Sequence, residues 1–290
     1  MHISCFIGGV LLTKRISSGL FCTLLLVLVM FLSTLWPFVL NLAVAVVSFF
    51  CINEILDLKK ENKKKILSII SIIFSIIRPL IGSGKKWQAL LYFYAVSCFI
   101  IAMVRFAKNK KKKLSYRSVW NVWFVFFLNI VISVALSTIV EIRNFGKDFG
   151  VFLSFLSLGI AWSCDVGAYF SGKYLGKNKL SPYVSPNKTI EGAIGGIVFS
   201  FLFSCIFCAF CYLFLKKNNL LIFNILAMSI LGAPIAILGD LCFSLLKRML
   251  SIKDFGDMIP GHGGVLDRFD SVIFVSPFVL IFLRFFNITS

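Results

Sequence analysis

The chain has 290 residues, 59% of them hydrophobic and only 14% charged, with a mean hydropathy of +0.95, which excludes a water-soluble globular domain of ordinary composition. Thirty Lys and Arg against twelve Asp and Glu leave a formal net charge of +18, yet most of the cations stand between apolar runs, where they orient a membrane protein and attract anionic headgroups. Nucleic acid is excluded as a partner, because no polar domain is large enough to present a groove.

The apolar residues come in runs of about 15 to 25, the length a helix needs to cross a hydrocarbon core of about 30 Å. Open strands would leave backbone groups unpaired in lipid, so the fold class expected is all-α, a polytopic transmembrane bundle. In chain order the candidate spans are 19–32, 37–56, 66–81, 87–106, 119–140, 150–170, 192–215, 220–246 and 271–286, about nine in all. Only residues 33–36 separate the first two, so one long re-entrant element is an alternative there. Residues 1–19 lack a small-residue cleavage site after their apolar stretch, and no removed signal peptide is read.

Assigning alternate connections to opposite faces divides the thirty cations 22 to 8. That bias predicts the N-terminus inside and the C-terminus outside. Residues 1–145 then form an N-terminal set of about five spans, and residues 146–290 a C-terminal set that carries the motif loops on the cytoplasmic side. The nine Cys are odd in number and fall almost entirely inside apolar runs, against a disulfide framework. Cys205, Cys208 and Cys211 are spaced as a cluster-ligand set would be, but no fourth ligand stands nearby, and they are read as small packing residues on a helix face. The N-x-T triplets at Asn187 and Asn287 are expected by chance.

Two connections hold polar residues that an orienting loop would not need. The first, residues 165–192, places Asp165, Tyr169 and Gly172 at helical spacing, with Asp165 near the inner end of its span. Ser185, Pro186, Asn187, Lys188 and Thr189 follow as a turn that brings hydroxyls, a lysine and free amides to the start of the next helix, where an anion is favoured. An ordinary capping turn, with Thr189 as the starting residue, explains the same pattern.

The second connection, residues 240–270, begins on a helix whose Asp240, Ser244, Lys247 and Arg248 share one face. Asp240 lies about 10 Å inward of the basic helix end at 1.5 Å per residue, a depth at which a carboxylate needs a partner or a metal. Pro234 upstream is expected to kink the span. After Lys253 and Asp254 comes Pro260-Gly261-His262-Gly263-Gly264, a loop whose glycines allow backbone amides to approach a phosphate, and then Asp267, Arg268 and Asp270. Carboxylates, cations and bare amides in one block suit a metal-bound nucleoside triphosphate.

The block from Ser244 to Asp270 resembles the signature of the bacterial phosphatidate cytidylyltransferase (CDP-diglyceride synthase) family: S-x-x-K-R, a short spacer, K-D, then H-G-G-x-x-D-R-x-D. Ser244, Lys247, Arg248, Lys253, Asp254, Gly256, Pro260, His262, Gly263, Gly264, Asp267, Arg268 and Asp270 fill it. The elements Asp165-x-x-Ala168-Tyr169 and Ser185-Pro186-x-Lys188-Thr189-x-Glu191-Gly192 are similar to that family's as well. The resemblance is convincing from about residue 162 to residue 270. Asn187 stands where the family more often has Lys.

The resemblance implies transfer of a cytidylyl group from CTP to phosphatidic acid, with release of pyrophosphate and a requirement for Mg²⁺; a second, monovalent ion is compatible with it. By analogy Asp240 and Asp267 are the first choices as metal ligands, with Asp270, Asp254 and Asp165 behind them. Lys188, Lys247, Arg248 and Arg268 are the expected charge clamps, so the catalytic set is Asp240, Lys247, Arg248, Asp267 and Arg268. Ser185, Lys188, Thr189, Ser244, Lys253, His262, Gly263 and Gly264 are expected around the phosphates of CTP and phosphatidate. His262 is read as packing or hydrogen bonding within the loop, with an acid role as the alternative. The partners implied are the two substrates and membrane lipids, a homodimer is compatible, and the place is a bacterial inner membrane with the site facing the cytoplasm. Three other readings use the same features. They are a CTP-using transferase or kinase with a different lipid acceptor, a transporter, and a structural lipid scaffold.

Overall fold

A computed structural model of the chain describes residues 2–57, 66–81, 116–145, 149–214, 221–259 and 263–286. Helix α1 (His2–Leu35) is followed by α2 (Phe38–Asp57), α3 (Ile66–Ile81), α4 (Tyr116–Phe145) and α5 (Gly150–Leu175). A hairpin of β1 (Lys179–Ser181) and β2 (Ser185–Thr189) then leads into α6 (Ile190–Phe214), α7 (Ile222–Met249), the short α8 (Leu266–Phe269) and α9 (Val272–Phe285).

Every expected span that falls on described residues meets a helix, because a run of apolar side chains in lipid leaves the backbone no other way to pair its polar groups. The run 87–106 lies outside the described residues. Among the described residues five helices are long and apolar enough to cross a membrane: Phe38–Asp57, Phe126–Phe145, Gly150–Leu175, Ile190–Leu213 and Ile222–Met249. The apolar stretches Gly19–Leu35 and Ile69–Leu80 are shorter. The expected last span is the 14-residue helix α9, about 21 Å at 1.5 Å per residue and so short of a full crossing. The first two spans are separate helices, broken at Trp36 and Pro37, where the proline has no N–H to give.

The chain forms two compact units, Met1–Val140 with Phe255–Asp267, and Glu141–Asp254 with Arg268–Ser290. In the first, α2 packs on α1 and α3, and its core holds Leu40, Val44, Cys51, Ile52 and Ile55 of α2 with Phe74 of α3. Asn129 of α4 donates to the Ser71 carbonyl at 2.9 Å, a polar tie between helices of the kind that lipid favours. Exposed Leu20, Phe21, Leu24 and Phe31 on α1 suit hydrocarbon rather than water.

In the second unit α5 and α6 lie closest together, and α7 and α9 close the bundle over them. The contact is made of small residues. A Cβ on Gly195 would come within 2.0 Å of Ser171 Oγ, and one on Gly159 within 2.1 Å of the Phe203 ring. Cys208 and Cys211 are buried on α6, and the described cysteines are free thiols, consistent with packing residues. The hairpin is a local departure from the all-α expectation: Lys179 pairs with Thr189 and Ser181 with Ser185, antiparallel. Helix α7 runs on through Pro234.

Candidate active site

The hairpin is tied down before it delivers any side chain. Glu191, in the first turn of α6, folds back and accepts the Lys177 N–H at 3.0 Å and the Asn178 side-chain amide at 2.8 Å. Thr189 Oγ1 accepts the Gly192 N–H at 3.1 Å, the geometry of a helix cap. Arg248 Nε donates to the Val184 carbonyl at 3.2 Å, so this expected clamp holds the hairpin backbone. Ser185 opens β2 and is half-buried. Lys188 reaches Asp240 Oδ2 on α7 at 2.5 Å.

Asp240 is the start of the stripe expected on α7, and its Oδ1 accepts the Ser244 hydroxyl at 3.2 Å. The helix ends at Met249, two residues past Lys247, in a left-handed cap: Ser251 N–H donates to the Arg248 carbonyl and Ile252 N–H to the Lys247 carbonyl, with Ser251 at φ 56°. Lys253 and Asp254 are exposed beyond it.

The turn into α9 supplies the other acids. Asp270 is 6% exposed and its Oδ1 accepts the Ser271 N–H at 2.8 Å. Ser271 Oγ donates to Asp165 Oδ2, also at 2.8 Å, joining α5 to this turn. Burial pushes the Asp270 carboxyl well above the usual carboxylate range, the Asp240 and Asp165 charges push it further, and Lys247 opposes them. Trp162 Nε1 donates to the Arg268 carbonyl at 3.0 Å and its ring meets Phe269 edge-on, which orients the turn from the other side.

The glycine loop is organised by a different pair of acids. Asp267 Oδ2 accepts two backbone amides, Phe255 at 2.9 Å and Gly264 at 3.0 Å. Glu54 of α2 accepts the Val265 N–H at 2.7 Å and the Leu266 N–H at 2.9 Å, one on each oxygen. Ile259 N–H donates to the Gly263 carbonyl at 2.9 Å, and Gly263 stands at φ 84°, where a side chain is strained. His262 lies outside the described residues.

Of the residues expected from the sequence, Asp165, Asp240, Asp270, Lys188, Lys247 and Ser244 are thus brought into one group, while Asp267 sits with Gly263 and Gly264 in the loop. Sequence reasoning missed Ser271 and Glu54. The only signal for Glu54 was an acid near the end of an apolar run; Ser271 gave none beyond following Asp270.

The donors of the first group, the carboxylate oxygens of Asp165, Asp240 and Asp270, are of the kind that a hard divalent cation takes. Among the described residues no three of His, Cys, Asp and Glu stand close enough to enclose an ion by themselves. Mg²⁺ takes one or two carboxylates and completes its shell with water and substrate phosphate.

The cytidylyltransferase family profile matches residues 13–286. Over 263 residues the chain is 30% identical to the phosphatidate cytidylyltransferase of Staphylococcus saprophyticus subsp. saprophyticus, covering 90% of this chain and 96% of that one. The protein of that name from Staphylococcus aureus (strain COL) matches to the same extent. The phosphatidate cytidylyltransferase of Bacillus subtilis (strain 168) is 43% identical over 166 residues, which span 57% of this chain and 60% of that one.

Proposed function

This chain belongs to the cytidylyltransferase family, and on that premise we propose that it transfers the cytidylyl group of CTP to phosphatidic acid, giving CDP-diacylglycerol and pyrophosphate. The observation that carries this reading is the convergence of Asp165 within α5, Asp240 and Lys247 on α7 and Asp270 just before α9 with Lys188 of the hairpin. Carboxylates gathered from three separate segments are suited to a cation that brings a triphosphate with it.

In the reaction a phosphatidate oxygen attacks the α-phosphorus of CTP, and the bond to the β-phosphate breaks with its electron pair leaving on pyrophosphate. The nucleophile is already anionic at neutral pH, so no strong base is needed; the protein's task is to position two anions and screen them from each other. Asp240 leads the proposed ligands of Mg²⁺, with Asp270 and Asp165 behind it. When bound, Mg²⁺ neutralises phosphate charge and polarises the reacting phosphorus. Lys188 holds Asp240 before the nucleotide arrives and is placed to move to a phosphate oxygen. Lys247 and Arg268 add positive charge, Arg248 keeps the hairpin in register, and Ser271 fixes the rotamer of Asp165. The backbone of Gly263 is offered to phosphate, in a loop that Asp267 holds through the Gly264 N–H.

The finer topology, about nine spans with the N-terminus inside and the C-terminus outside, follows the cation bias. It puts the motif loops on the cytoplasmic face, in a bacterial inner membrane by family resemblance. The test is direct. Purified protein in detergent with CTP, Mg²⁺ and phosphatidic acid should release CDP-diacylglycerol and pyrophosphate in equal amounts. A panel of isoprenoid and other lipid acceptors should give less; a better acceptor would redirect the assignment, and no CTP turnover with any acceptor would end it.

A further inference from the structure

We infer that Glu54 is a positioning residue for nucleotide binding, acting through the glycine loop from a helix more than two hundred residues away in sequence. The inference rests on the reading that this loop receives the triphosphate of CTP.

Glu54 lies one turn from the end of α2 and is only 6% exposed. A buried carboxylate is costly unless its oxygens are bonded, and both of these are: Oε1 to the Val265 N–H and Oε2 to the Leu266 N–H. Two consecutive amides accepted by two oxygens of one planar group fix both the position and the tilt of that peptide. The peptide adjoins Gly264, whose own N–H is taken by Asp267 Oδ2.

The glycines make room for this arrangement. A Cβ on Gly264 would lie 2.5 Å from Glu54 Oε2, and one on Gly256 would lie 2.8 Å from Oε1. Neither glycine is among the positive-φ residues, where Gly263 stands. Their lack of a side chain therefore serves the close approach of the Glu54 carboxylate. Gly256 belongs to the motif block, and the close approach of Glu54 gives a reason for a glycine there.

Without the carboxylate, two buried amides lose their acceptors and the segment Gly263–Leu266 relaxes. Gly263, next to the Gly264 N–H that Asp267 holds, then loses its fixed place, and the nucleotide is the ligand that feels it. A general structural role would instead lower stability and depress all kinetic constants together.

The experiment compares the purified wild type with Glu54→Gln, Gly256→Ala and the double variant, reading KM for CTP, KM for phosphatidic acid, kcat and the unfolding midpoint. Glutamine keeps one acceptor oxygen and turns an N–H₂ toward the second amide, so KM for CTP should rise about tenfold or more, with KM for phosphatidic acid unchanged. Gly256→Ala, which pushes the carboxylate away without removing it, should give the same signature, and the double variant should be no worse than the more affected single one. Glu141→Gln, whose partner is Arg284 on α9, is the control that should leave both constants alone. The inference is overturned if either Glu54→Gln or Gly256→Ala keeps the wild-type KM for CTP, or if both KM values move in parallel. If Glu54→Gln does not fold, Gly256→Ala decides alone. A wild type with no CTP turnover would instead remove the underlying reading of the loop.

Discussion

Glu54 and Asp267, in the first compact unit, each accept two backbone amides, whereas in the second Asp240 meets Lys188 and the Ser244 hydroxyl, Asp165 meets the Ser271 hydroxyl, and Asp270 accepts a single amide. The same functional group therefore does two kinds of work. A carboxylate whose lone pairs are satisfied by N–H groups of its own chain is finished when the protein folds, and what it contributes is shape. Carboxylates buried beside one another remain electrostatically unfinished, since burial first and the neighbouring Asp240 and Asp165 charges second push the Asp270 carboxyl up, and what they contribute is a demand for an external cation.

That contrast is broken most forcefully at Asp240. Asp240→Asn removes a charge that holds Lys188 and, on this account, the metal; kcat should fall about a thousandfold with the unfolding midpoint nearly unchanged. Chelation with EDTA should stop the wild-type reaction completely, with recovery on adding Mg²⁺.

Asp267 sharpens the comparison, because the carboxylate expected to bind metal also accepts two backbone amides on its Oδ2. Asp267→Ala leaves the Phe255 and Gly264 amides without their acceptor, a loss of about 2 kcal/mol or more in stability that a thermal melt will detect. Asp267→Asn still offers an acceptor oxygen. If the loop is its whole task, the asparagine variant retains most activity; if it is also a ligand, its requirement for Mg²⁺ shifts upward while the melt stays put.

Lys188→Met should divide the two substrates of the acid group. Losing the ammonium weakens CTP, with KM rising about tenfold, yet frees Asp240 Oδ2 for the metal, so half-maximal activity should come at lower Mg²⁺. The smallest effect belongs to Ser251, a non-glycine residue in the left-handed region at the end of α7. Ser251→Gly should stabilise the protein by about 1 kcal/mol or less and leave kcat untouched.

Much of the helical frame was legible in the sequence, since a bilayer imposes one length and one backbone solution on every apolar run. Helix ends were less so: α5 continues to Leu175 and α7 to Met249, because Lys173, Lys247 and Arg248 sit well in the last turn of a helix that is leaving the membrane. The hairpin was read as a turn, as three residues paired with five and a proline inside them carry little strand pattern. Thr189 showed its cap in the sequence, and the stripe from Asp240 to Arg248 followed from helical spacing alone. The bond from Glu54 to Val265 and Leu266 left no local trace, being made between a helix and a loop at opposite ends of the chain.

The central claim is that the acids of the second unit hold the cation that brings CTP. Binding of Mn²⁺ in the presence of CTP, followed by electron paramagnetic resonance, tests it most directly when wild type is set beside an Asp240→Asn/Asp270→Asn double variant. The account predicts a protein-bound Mn²⁺ signal that needs CTP and is lost in the double variant while its fold persists; a double variant that retains the signal and turns over at the wild-type rate would contradict it.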